Sequence, residues 1–272
     1  MRGRVLVVAG SDSGGGAGIQ ADIKTILMLD AYAATAITAL TAQNTEGVLG
    51  VLPIPPEFIR HQIEVVLDDI GADVIKTGML HAAAVIEAIA SVLQEHAAAV
   101  PVVVDPVMAA KGGARLIEPE AIDALKRLLI ARAEIVAPNL PEAEILCGTT
   151  IGDVAGMRTA GETLLGLGCR AALIKGGHLP GEAVSDVLVT ADGGVRIWES
   201  PRIDTRHTHG TGCTLASAIA AGLAQGLAIE PAVERARCFV RRAIATAPGF
   251  GHGHGPLDHA HPLRPRDGKS GG

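Results

Sequence analysis

The sequence predicts an α/β protein with a central, mostly parallel sheet that is covered by helices on both faces. Short apolar runs rich in β-branched residues alternate with longer segments of helical periodicity through most of the 272 residues. The run Val102-Val103-Val104 is continuously apolar, which is typical of a strand buried on both faces. Together these observations favour a three-layer α/β/α arrangement.

The elements follow one another in a regular alternation. The strand candidates are residues 4–9, 48–54, 73–77, 100–105, 134–138, 171–176, 185–190 and 195–200. The helix candidates are residues 18–30, 57–70, 82–95, 118–131, 141–146, 157–167, 213–227 and 231–245. The turn Ala191-Asp192-Gly193-Gly194 predicts an antiparallel hairpin between the last two strands.

We expect residues 1–262 to form one domain, because no Pro/Ser-rich or highly charged linker interrupts them. Residues 263–272 end in Asp-Gly-Lys-Ser-Gly-Gly, and we expect them to be a disordered tail.

The bulk composition excludes several classes of partner. A net charge of −6 offers no basic footprint for nucleic acid or for an anionic membrane. No apolar run reaches the roughly 18 residues of a membrane span, and no signal peptide is recognisable. The four cysteines are widely spaced, so we expect free thiols, buried at positions 147, 169 and 238, and a cytoplasmic location.

Polar side chains follow six of the predicted strands. In parallel sheets ligands bind beyond the carboxyl ends of the strands, so these exits favour an enzyme over a scaffold. The exits are Ser11-Asp12-Ser13, Lys76-Thr77-Gly78-Met79, Asp105-Pro106, residues 139–142, Lys175-Gly176-Gly177-His178 and residues 208–213.

Residues 208–213, Thr-His-Gly-Thr-Gly-Cys, form a glycine-bearing turn that runs into a helix of small residues. Such a junction directs several backbone N–H groups and the positive end of a helix dipole at one point, which suits a phosphate. We call these residues the anion-hole segment.

Two other phosphate-binding motifs fit poorly. The glycines at 14–18 lack the spacing of a dinucleotide fingerprint, since Gly16 and Gly18 are followed at best by Ala21. Gly268-Lys269-Ser270 lacks the upstream glycine of a Walker A loop. A tight turn that lets backbone approach a small ligand is the better interpretation of residues 14–18.

The blocks of this sequence, in order, resemble those of the hydroxymethylpyrimidine/phosphomethylpyrimidine kinases of thiamine synthesis, which belong to the ribokinase-like superfamily. The resemblance extends over roughly residues 4–262. It rests on residues 9–22 with Lys24-Thr25, on residues 37–45, on Lys76-Thr77-Gly78-Met79, on residues 104–108 and 138–144, on Lys175-Gly176-Gly177-His178, on residues 208–213, and on Gly251-His252-Gly253-His254-Gly255-Pro256.

This resemblance implies a ribokinase-like fold and an ATP-dependent kinase. Its substrates would be 4-amino-5-hydroxymethyl-2-methylpyrimidine and then the monophosphate of that alcohol. It also implies ATP and Mg²⁺ as cofactors and a homodimer.

The resemblance assigns the phosphoryl-transfer roles. Backbone N–H groups of Gly210, Thr211, Gly212 and Cys213 would hold the migrating phosphoryl group. Residues that would bind ATP are Lys175, Asn139, Thr208 and Asp105. Glu142 and Asn139 would hold Mg²⁺, mainly through water.

Some of these residues have a structural alternative. The alternative for Glu142 is an acidic residue in the first turn of a helix capped by Asn139 or Leu140, and the alternative for Asp105 is a structural turn.

The resemblance places the aminopyrimidine against Gln43, Asp22, Gly10, Met79 and Val107. Gln43 and Asp22 offer the acceptors and donors that an amine and ring nitrogens require, while Met79 and Val107 supply apolar walls. The alternative for Asp22 is a surface position on its helix. Lys111 fits either a lid cation or a solvated lysine.

Cys213 stands where sugar kinases of the superfamily carry an aspartate base. We expect the helix N-terminus to lower its pKa, making it a weak base toward the hydroxymethyl group. The second acceptor is a phosphate monoester that is already largely ionised at neutral pH. We therefore hypothesise that a cysteine tolerates both acceptors, whereas an aspartate would repel the second.

Three alternatives stay open. A pyridoxine or pyridoxal kinase would bind a ring of similar size, and a non-catalytic ligand sensor would keep the fold without the chemistry. The histidines His252, His254, His259 and His261 suggest a metal cluster, but glycine-flanked, exposed histidines are poorly preorganised for one.

Overall fold

The computed structural model of the chain describes residues 1–109, 113 and 116–264. Its strands are β1 (Arg4–Asp12), β2 (Tyr32–Gln43), β3 (Val48–Pro53), β4 (Val74–Thr77), β5 (Val102–Val104), β6 (Ile135–Val136), β7 (Ala171–Lys175), β8 (Ala183–Thr190) and β9 (Val195–Pro201). Its α-helices are α1 (Gly18–Met28), α2 (Pro56–Asp69), α3 (Ala83–His96), α4 (Ala121–Ala124), α5 (Leu140–Cys147), α6 (Val154–Leu165), α7 (Thr211–Ala224) and α8 (Ile229–Ala245).

All nine strands form one sheet in the order β3-β2-β1-β4-β5-β6-β7-β8-β9. The six strands from β2 to β7 in this order run parallel, whereas β3 at one edge and β8 and β9 at the other are antiparallel to their neighbours. The predicted hairpin is confirmed, because β8 and β9 pair on either side of the turn at 191–194.

Helices cover both faces of the sheet, as predicted. Apolar side chains of α2 to α6 pack on one face, in the core cluster that contains Ile63, Ile89 and Met157. Apolar side chains of α1, α7 and α8 pack on the other face, in the cluster that contains Ile26, Ile219 and Val233. The structure is therefore a three-layer α/β/α sandwich whose central strands are buried on both sides.

Two elements differ from the prediction. Strand β2 was not predicted, because its sequence of Ala and Thr with isolated bulky residues lacks both the alternation and the apolar run of the other strands. The helix expected at 118–131 begins at Ala121, widens into a π-helical turn (Leu125–Leu129) and ends in a tighter 3-10 turn (Ile130–Arg132).

The cysteine prediction was partly wrong. Cys169 is buried, but Cys147 is half-buried and Cys238 is exposed; all four thiols are free. The expected tail falls mostly on residues 265–272, and Lys111 falls within 110–112, so both lie outside the described residues. The extent of the domain, residues 1–262, stays a prediction.

Candidate active site

Strands β1, β2, β4, β5, β6 and β7 are parallel, so the residues at their carboxyl ends meet along one edge of the sheet. Asn139 forms a bridge to Lys175, and Lys175 reaches Asp105 across the same edge. The sheet thus gathers polar groups that are far apart in the sequence.

The anion-hole segment ends in the first turn of α7, which begins at Thr211 after Gly210. Gly210 has φ +82°, and a β-carbon there would lie 1.8 Å from the carbonyl oxygen of Gly16. The Thr211 hydroxyl donates to the Thr208 carbonyl at 2.8 Å, which closes the turn. The first N–H groups of a helix have no partner within it. The Thr211 N–H turns back to the Thr208 carbonyl at 3.4 Å, so the donors that this turn directs at the edge where the strand ends meet are those of Gly212 and Cys213.

Lys175 and Asp105 lie directly against this turn. Lys175 Nζ is 3.2 Å from Asp105 Oδ1. A β-carbon on Gly212 would be 3.3 Å from Lys175 Nζ and 3.7 Å from both Asp105 oxygens, so this ion pair lies directly against the start of α7. A cation therefore stands beside the N–H donors, as phosphoryl transfer requires.

Asn139 and Glu142 form a capping box at the start of α5. The Asn139 side-chain oxygen accepts from the Glu142 N–H at 3.0 Å, and Glu142 Oε2 accepts from the Asn139 N–H at 2.8 Å. The structural alternative for Glu142 is thus present in the fold, with Asn139 and not Leu140 as the cap. Burial, assisted by the nearby Asp105 charge and opposed by Lys175, raises the pKa of Glu142 to about 7.

These residues fit a magnesium ion. Asp105 Oδ2 is buried and has no hydrogen-bond partner within the described structure, so it has a lone pair to offer. Glu142 adds a second buried carboxylate beside Lys175. The described residues contain no group of three or more His, Cys, Asp or Glu side chains that could enclose a metal. Mg²⁺ commonly uses one or two carboxylates and keeps its other ligands as water.

Cys213 does not have the lowered pKa that its helix position suggested. Burial, with the negative charges of Asp22 and Asp105, raises the pKa of the thiol to about 12, although Lys76 acts in the opposite direction. Burial outweighs the helix dipole because removing a thiolate from water costs far more free energy than its attraction to the helix N-terminus provides. The Cys213 side chain is therefore an uncharged thiol at neutral pH.

The residues expected around the pyrimidine ring are partly brought together. Met79, Ala39 and Leu116 form a small apolar cluster against which Val107 packs. A β-carbon on Gly10 would lie 3.2 Å from Met79 Sδ, so Gly10 keeps the space beside this cluster open.

Gln43 ends β2, and its backbone is held on both sides by Ser13. Ser13 Oγ accepts from the Gln43 N–H and donates to the Gln43 carbonyl, both at 2.8 Å. In the Gln43 side chain, Oε1 lies 3.2 Å from Thr41 Oγ1 and Nε2 lies 3.3 Å from His209 Nε2.

Asp22 faces inward. Its carboxylate is fully buried, lies 3.1 Å from Lys76 Nζ and accepts a hydrogen bond from Ser217 Oγ at 2.6 Å. The surface alternative is wrong. Because protein groups already occupy both oxygens, Asp22 lies beneath the site, and a direct contact with a ring would require it to exchange partners.

Sequence reasoning gave no role to Asp12 or His209, although both belong to segments that it singled out. His209 Nε2 is 2.8 Å from Asp12 Oδ2, and both side chains are buried. No pattern in the sequence marks this contact, because the two residues are 197 positions apart.

The C-terminal histidines behave in two ways. His252 and His254 are exposed, as expected, whereas His259 and His261 are buried, which corrects the expectation for that pair. His259 Nε2 lies 2.9 Å from the Thr214 hydroxyl on α7. Burial lowers the pKa of His259 to about 4, so its imidazole is neutral in the folded protein.

Comparison with known proteins now identifies the family. The sequence matches the phosphomethylpyrimidine kinase family over residues 12–258. The chain belongs to this family. It is a phosphotransferase with the ribokinase-like fold.

Two curated relatives of this kinase cover nearly all of it. It is 48% identical to the hydroxymethylpyrimidine/phosphomethylpyrimidine kinase of Bacillus subtilis, over 94% of each chain. It is 52% identical to the thiamine biosynthesis bifunctional protein ThiED of Geobacter sulfurreducens over 95% of its own length, but it spans only 52% of that protein.

A solved structure of Bacillus subtilis pyridoxal kinase, an ADP complex, is 36% identical with a TM-score of 0.87, covering 96% of this chain and 98% of that one. Such similarity supports ATP as the phosphoryl donor of the kinase described here. Among the described residues, no helix has the length and apolar character needed to span a bilayer.

Proposed function

We propose that this kinase transfers the γ-phosphoryl group of ATP first to the hydroxymethyl oxygen of 4-amino-5-hydroxymethyl-2-methylpyrimidine and then to the resulting monophosphate. The observation that carries the proposal is the placement of Lys175 and Asp105 against Gly212 at the start of α7, with the buried Glu142 within electrostatic range of both. A cation, two buried carboxylates and a free helix end at one point are suited to transfer of a phosphoryl group.

Each residue then has a physical task. Lys175 neutralises phosphate charge, and the N–H groups of residues 210–213 bind the oxygens of the migrating group, with Thr208 and Asn139 beside the nucleotide. Asp105 and Glu142 would hold Mg²⁺, with Asn139 fixing Glu142 through the capping box. When bound, the ion supplies positive charge that offsets the negative charge of the phosphates.

The aminopyrimidine would lie between Met79 and Val107, over the space that Gly10 leaves, with its polar edge on the Gln43 amide. Asp22 would not touch the ring; it would hold the side chains of Lys76 and Ser217 in place beneath the pocket.

The uncharged Cys213 thiol fits two successive acceptors. A thiol with a pKa of about 12 adds no negative charge to the site, so an incoming phosphate monoester meets no repulsion there. A protonated thiol cannot take the proton of the alcohol, so deprotonation of the hydroxymethyl group would depend on groups other than Cys213.

We propose that the kinase forms a homodimer through β3. This edge strand exposes Leu49 and Leu52 and contains no charged residue between Val48 and Pro53. An uncharged apolar edge is suited to pairing with another chain. We also propose a cytoplasmic location, because free thiols persist in a reducing compartment.

Parallel steady-state kinetics with the pyrimidine alcohol, its monophosphate and pyridoxal would test the function. The proposal requires both pyrimidines to be phosphorylated with higher kcat/KM than pyridoxal. A higher kcat/KM for pyridoxal would favour the second candidate, a pyridoxal kinase, which the 36% identity to such an enzyme supports. No ADP formation with any of the three would favour a non-catalytic ligand sensor.

A further inference from the structure

Asp12 connects two segments of the site. We call residues 13–17, which follow β1, the glycine loop. Asp12 Oδ1 accepts from the Gly14 N–H at 2.8 Å, and Oδ2 accepts from the N–H groups of Gly16 at 3.0 Å and Ala17 at 2.8 Å. The remaining contact of Oδ2 is His209 Nε2 of the anion-hole segment, at 2.8 Å.

This arrangement requires Asp12 to be an ionised acceptor. Three backbone N–H groups donate to its oxygens, and a protonated carboxyl would lose one of these hydrogen bonds because its O–H would face a donor. Burial disfavours the charge, but the hydrogen bonds from His209, Ala17 and Gly14 outweigh it and keep the pKa of Asp12 below its ordinary value.

An ionised Asp12 fixes the proton on His209. Two acceptors 2.8 Å apart would repel, so His209 Nε2 must carry the hydrogen and donate it to Asp12. The Nε2 atom then has no lone pair for the Gln43 amide, which lies 3.3 Å away. The structure places Gln43 Nε2 there, donor against donor, and a 180° turn of the amide, which brings Oε1 to His209, turns this contact into a hydrogen bond.

Thr41 imposes the same orientation from the other side. Its hydroxyl has one hydrogen, which it donates to the Ser11 carbonyl at 2.9 Å. The atom that faces Thr41 Oγ1, at 3.2 Å, is Gln43 Oε1, and with its hydrogen on Ser11 the hydroxyl can only accept there. Thr41 therefore favours the same turned amide, with the NH2 group on its side. Two independent neighbours thus specify one orientation of the amide.

We propose that Asp12 and His209 form a positioning pair that, together with Thr41, locks the Gln43 amide in one orientation and so selects an aminopyrimidine over rings that lack an exocyclic amine. The inference rests on the proposed function, in which Gln43 contacts the ring. Neither Asp12 nor His209 needs to touch the substrate.

The selection follows from hydrogen-bond patterns. An aminopyrimidine presents an amine donor next to a ring-nitrogen acceptor, and this edge pairs with an amide that offers an acceptor and a donor in fixed order. A pyridoxal ring has no such amine. A freely rotating amide could turn to suit either ring. A locked amide cannot, so when pyridoxal is bound a polar atom of the Gln43 amide is left without a hydrogen-bond partner.

The test is a double-mutant cycle on the kcat/KM of the intact kinase for the pyrimidine alcohol and for pyridoxal. The variants are His209→Ala, Gln43→Ala and their combination. We expect each single variant to raise the KM for the pyrimidine alcohol about tenfold, the loss of one well-placed hydrogen bond, and to reduce selectivity over pyridoxal to a similar extent. The KM for ATP should stay within about twofold of the wild-type value.

The decisive quantity is the coupling between the two sites. If His209 acts through Gln43, the double variant is no less selective than Gln43→Ala alone. Additive losses of selectivity, or a change in the KM for ATP equal to that for the pyrimidine, would overturn the inference. An unchanged KM for the pyrimidine in Gln43→Ala would instead overturn the assignment of Gln43 to the pocket, and the inference with it.

Two further variants separate positioning from stability. His261→Ala removes an imidazole that is equally buried but bonded to the Phe239 carbonyl, and it should leave selectivity unchanged even if it lowers the melting temperature. Thr41→Val reaches the same amide from the opposite side without altering the anion-hole segment. We expect it to lower selectivity about threefold, and an unchanged selectivity in both Thr41→Val and His209→Ala would refute the lock.

Discussion

At the scale of single residues, the site combines charges that are balanced in pairs with one side chain that stays neutral. Lys76 pairs with Asp22, and Lys175 pairs with Asp105, both at about hydrogen-bond distance and both largely withdrawn from water. Cys213 adds a polarisable group without adding a charge. An anionic acceptor therefore meets Asp22 and Asp105 already paired with lysines, while Glu142 shares the charge of Lys175 with Asp105.

Changing Cys213 should separate the two phosphorylation steps. In Cys213→Asp a new negative charge would lie beside the incoming phosphate monoester, so we expect kcat/KM for the monophosphate to fall at least about tenfold more than that for the alcohol. Each step is assayed separately by ADP release.

Cys213→Ser is the matched control, because it is similar in size and uncharged at neutral pH; it should change both steps in the same proportion. If Cys213→Asp spares the second step as well as the first, repulsion is not the reason for the cysteine.

At the scale of elements, helix α7 is the part on which the site depends, and its first turns are fixed by contacts from three directions. Gly210 packs on the glycine loop, Thr214 contacts His259, and Ser217 bonds Asp22 on α1. The direction of the helix end, and hence of its N–H groups, follows from these contacts.

The contact of Gly210 with the glycine loop should tolerate no side chain. Gly210→Ala would place a methyl group 1.8 Å from the Gly16 carbonyl oxygen at a φ of +82°. We expect kcat/KM to fall more than about tenfold and the free energy of unfolding to fall by about 2 kcal/mol or more.

Gly226→Ala provides a matched control, since its φ of +84° is nearly the same but nothing lies within 4 Å of the new methyl group. It should cost about 1 kcal/mol and leave activity intact. Equal effects of the two variants would show that backbone strain, and not the contact, is what matters at Gly210.

The contact between α7 and His259 should make stability depend on pH. The pKa of His259 is lowered from 6.5 to about 4, so below pH 6.5 the unfolded chain takes up a proton that the folded chain refuses. Its contribution is present above pH 6.5 and is lost as pH falls toward 4.

We expect the free energy of unfolding, measured with urea, to decrease between pH 7.5 and 4.5 by roughly 2 to 3 kcal/mol more in the wild type than in His259→Gln. His61→Gln, at an exposed position, should follow the wild-type curve. Parallel curves for wild type and His259→Gln would contradict a buried neutral imidazole at position 259.

At the scale of the whole molecule, the two edges of the sheet are protected differently. The edge strand β9 carries Arg196 and Glu199, whereas β3 carries no charge and leaves the Leu49 side chain 82% exposed. Charged side chains on an edge discourage pairing with another chain, and an apolar edge invites it.

Leu49→Asp should therefore convert the proposed dimer into a monomer, as measured by light scattering coupled to gel filtration. Ile197→Asp on β9 is the control at the opposite edge and should leave the mass unchanged. A wild-type protein that is monomeric, or a dimer that only Ile197→Asp disrupts, would rule out β3 as the interface.

The elements with a strong local signal could be predicted from the sequence. The buried triplet Val102–Val104 and the hairpin of β8 and β9 are encoded within a few neighbouring residues. Strand β2 could not be predicted in this way, because small Ala and Thr side chains gain their β conformation from pairing with β1.

The candidate site residues divide along the same line. Lys175, Asp105 and Gln43 could be predicted as candidates because each follows a strand or belongs to a block that resembles a known family, and their roles stay predictions. The inward orientation of Asp22, the neutral state of Cys213 and the contact between Asp12 and His209 depend on burial and on partners distant in the chain. Neither the burial of a side chain nor its distant partners can be predicted from the residues next to it in the sequence.

The order of the elements along the chain has a consequence for synthesis on the ribosome. The last strand of the sheet ends at Pro201, and the anion-hole segment begins only at Thr208. His209 must then reach back 197 positions to Asp12, and Gly253 must reach back 208 positions to Thr45. A nascent chain thus contains every strand of this sheet before it contains the proposed phosphate-binding turn, and the kinase gains its chemistry only after the whole sheet has been synthesised.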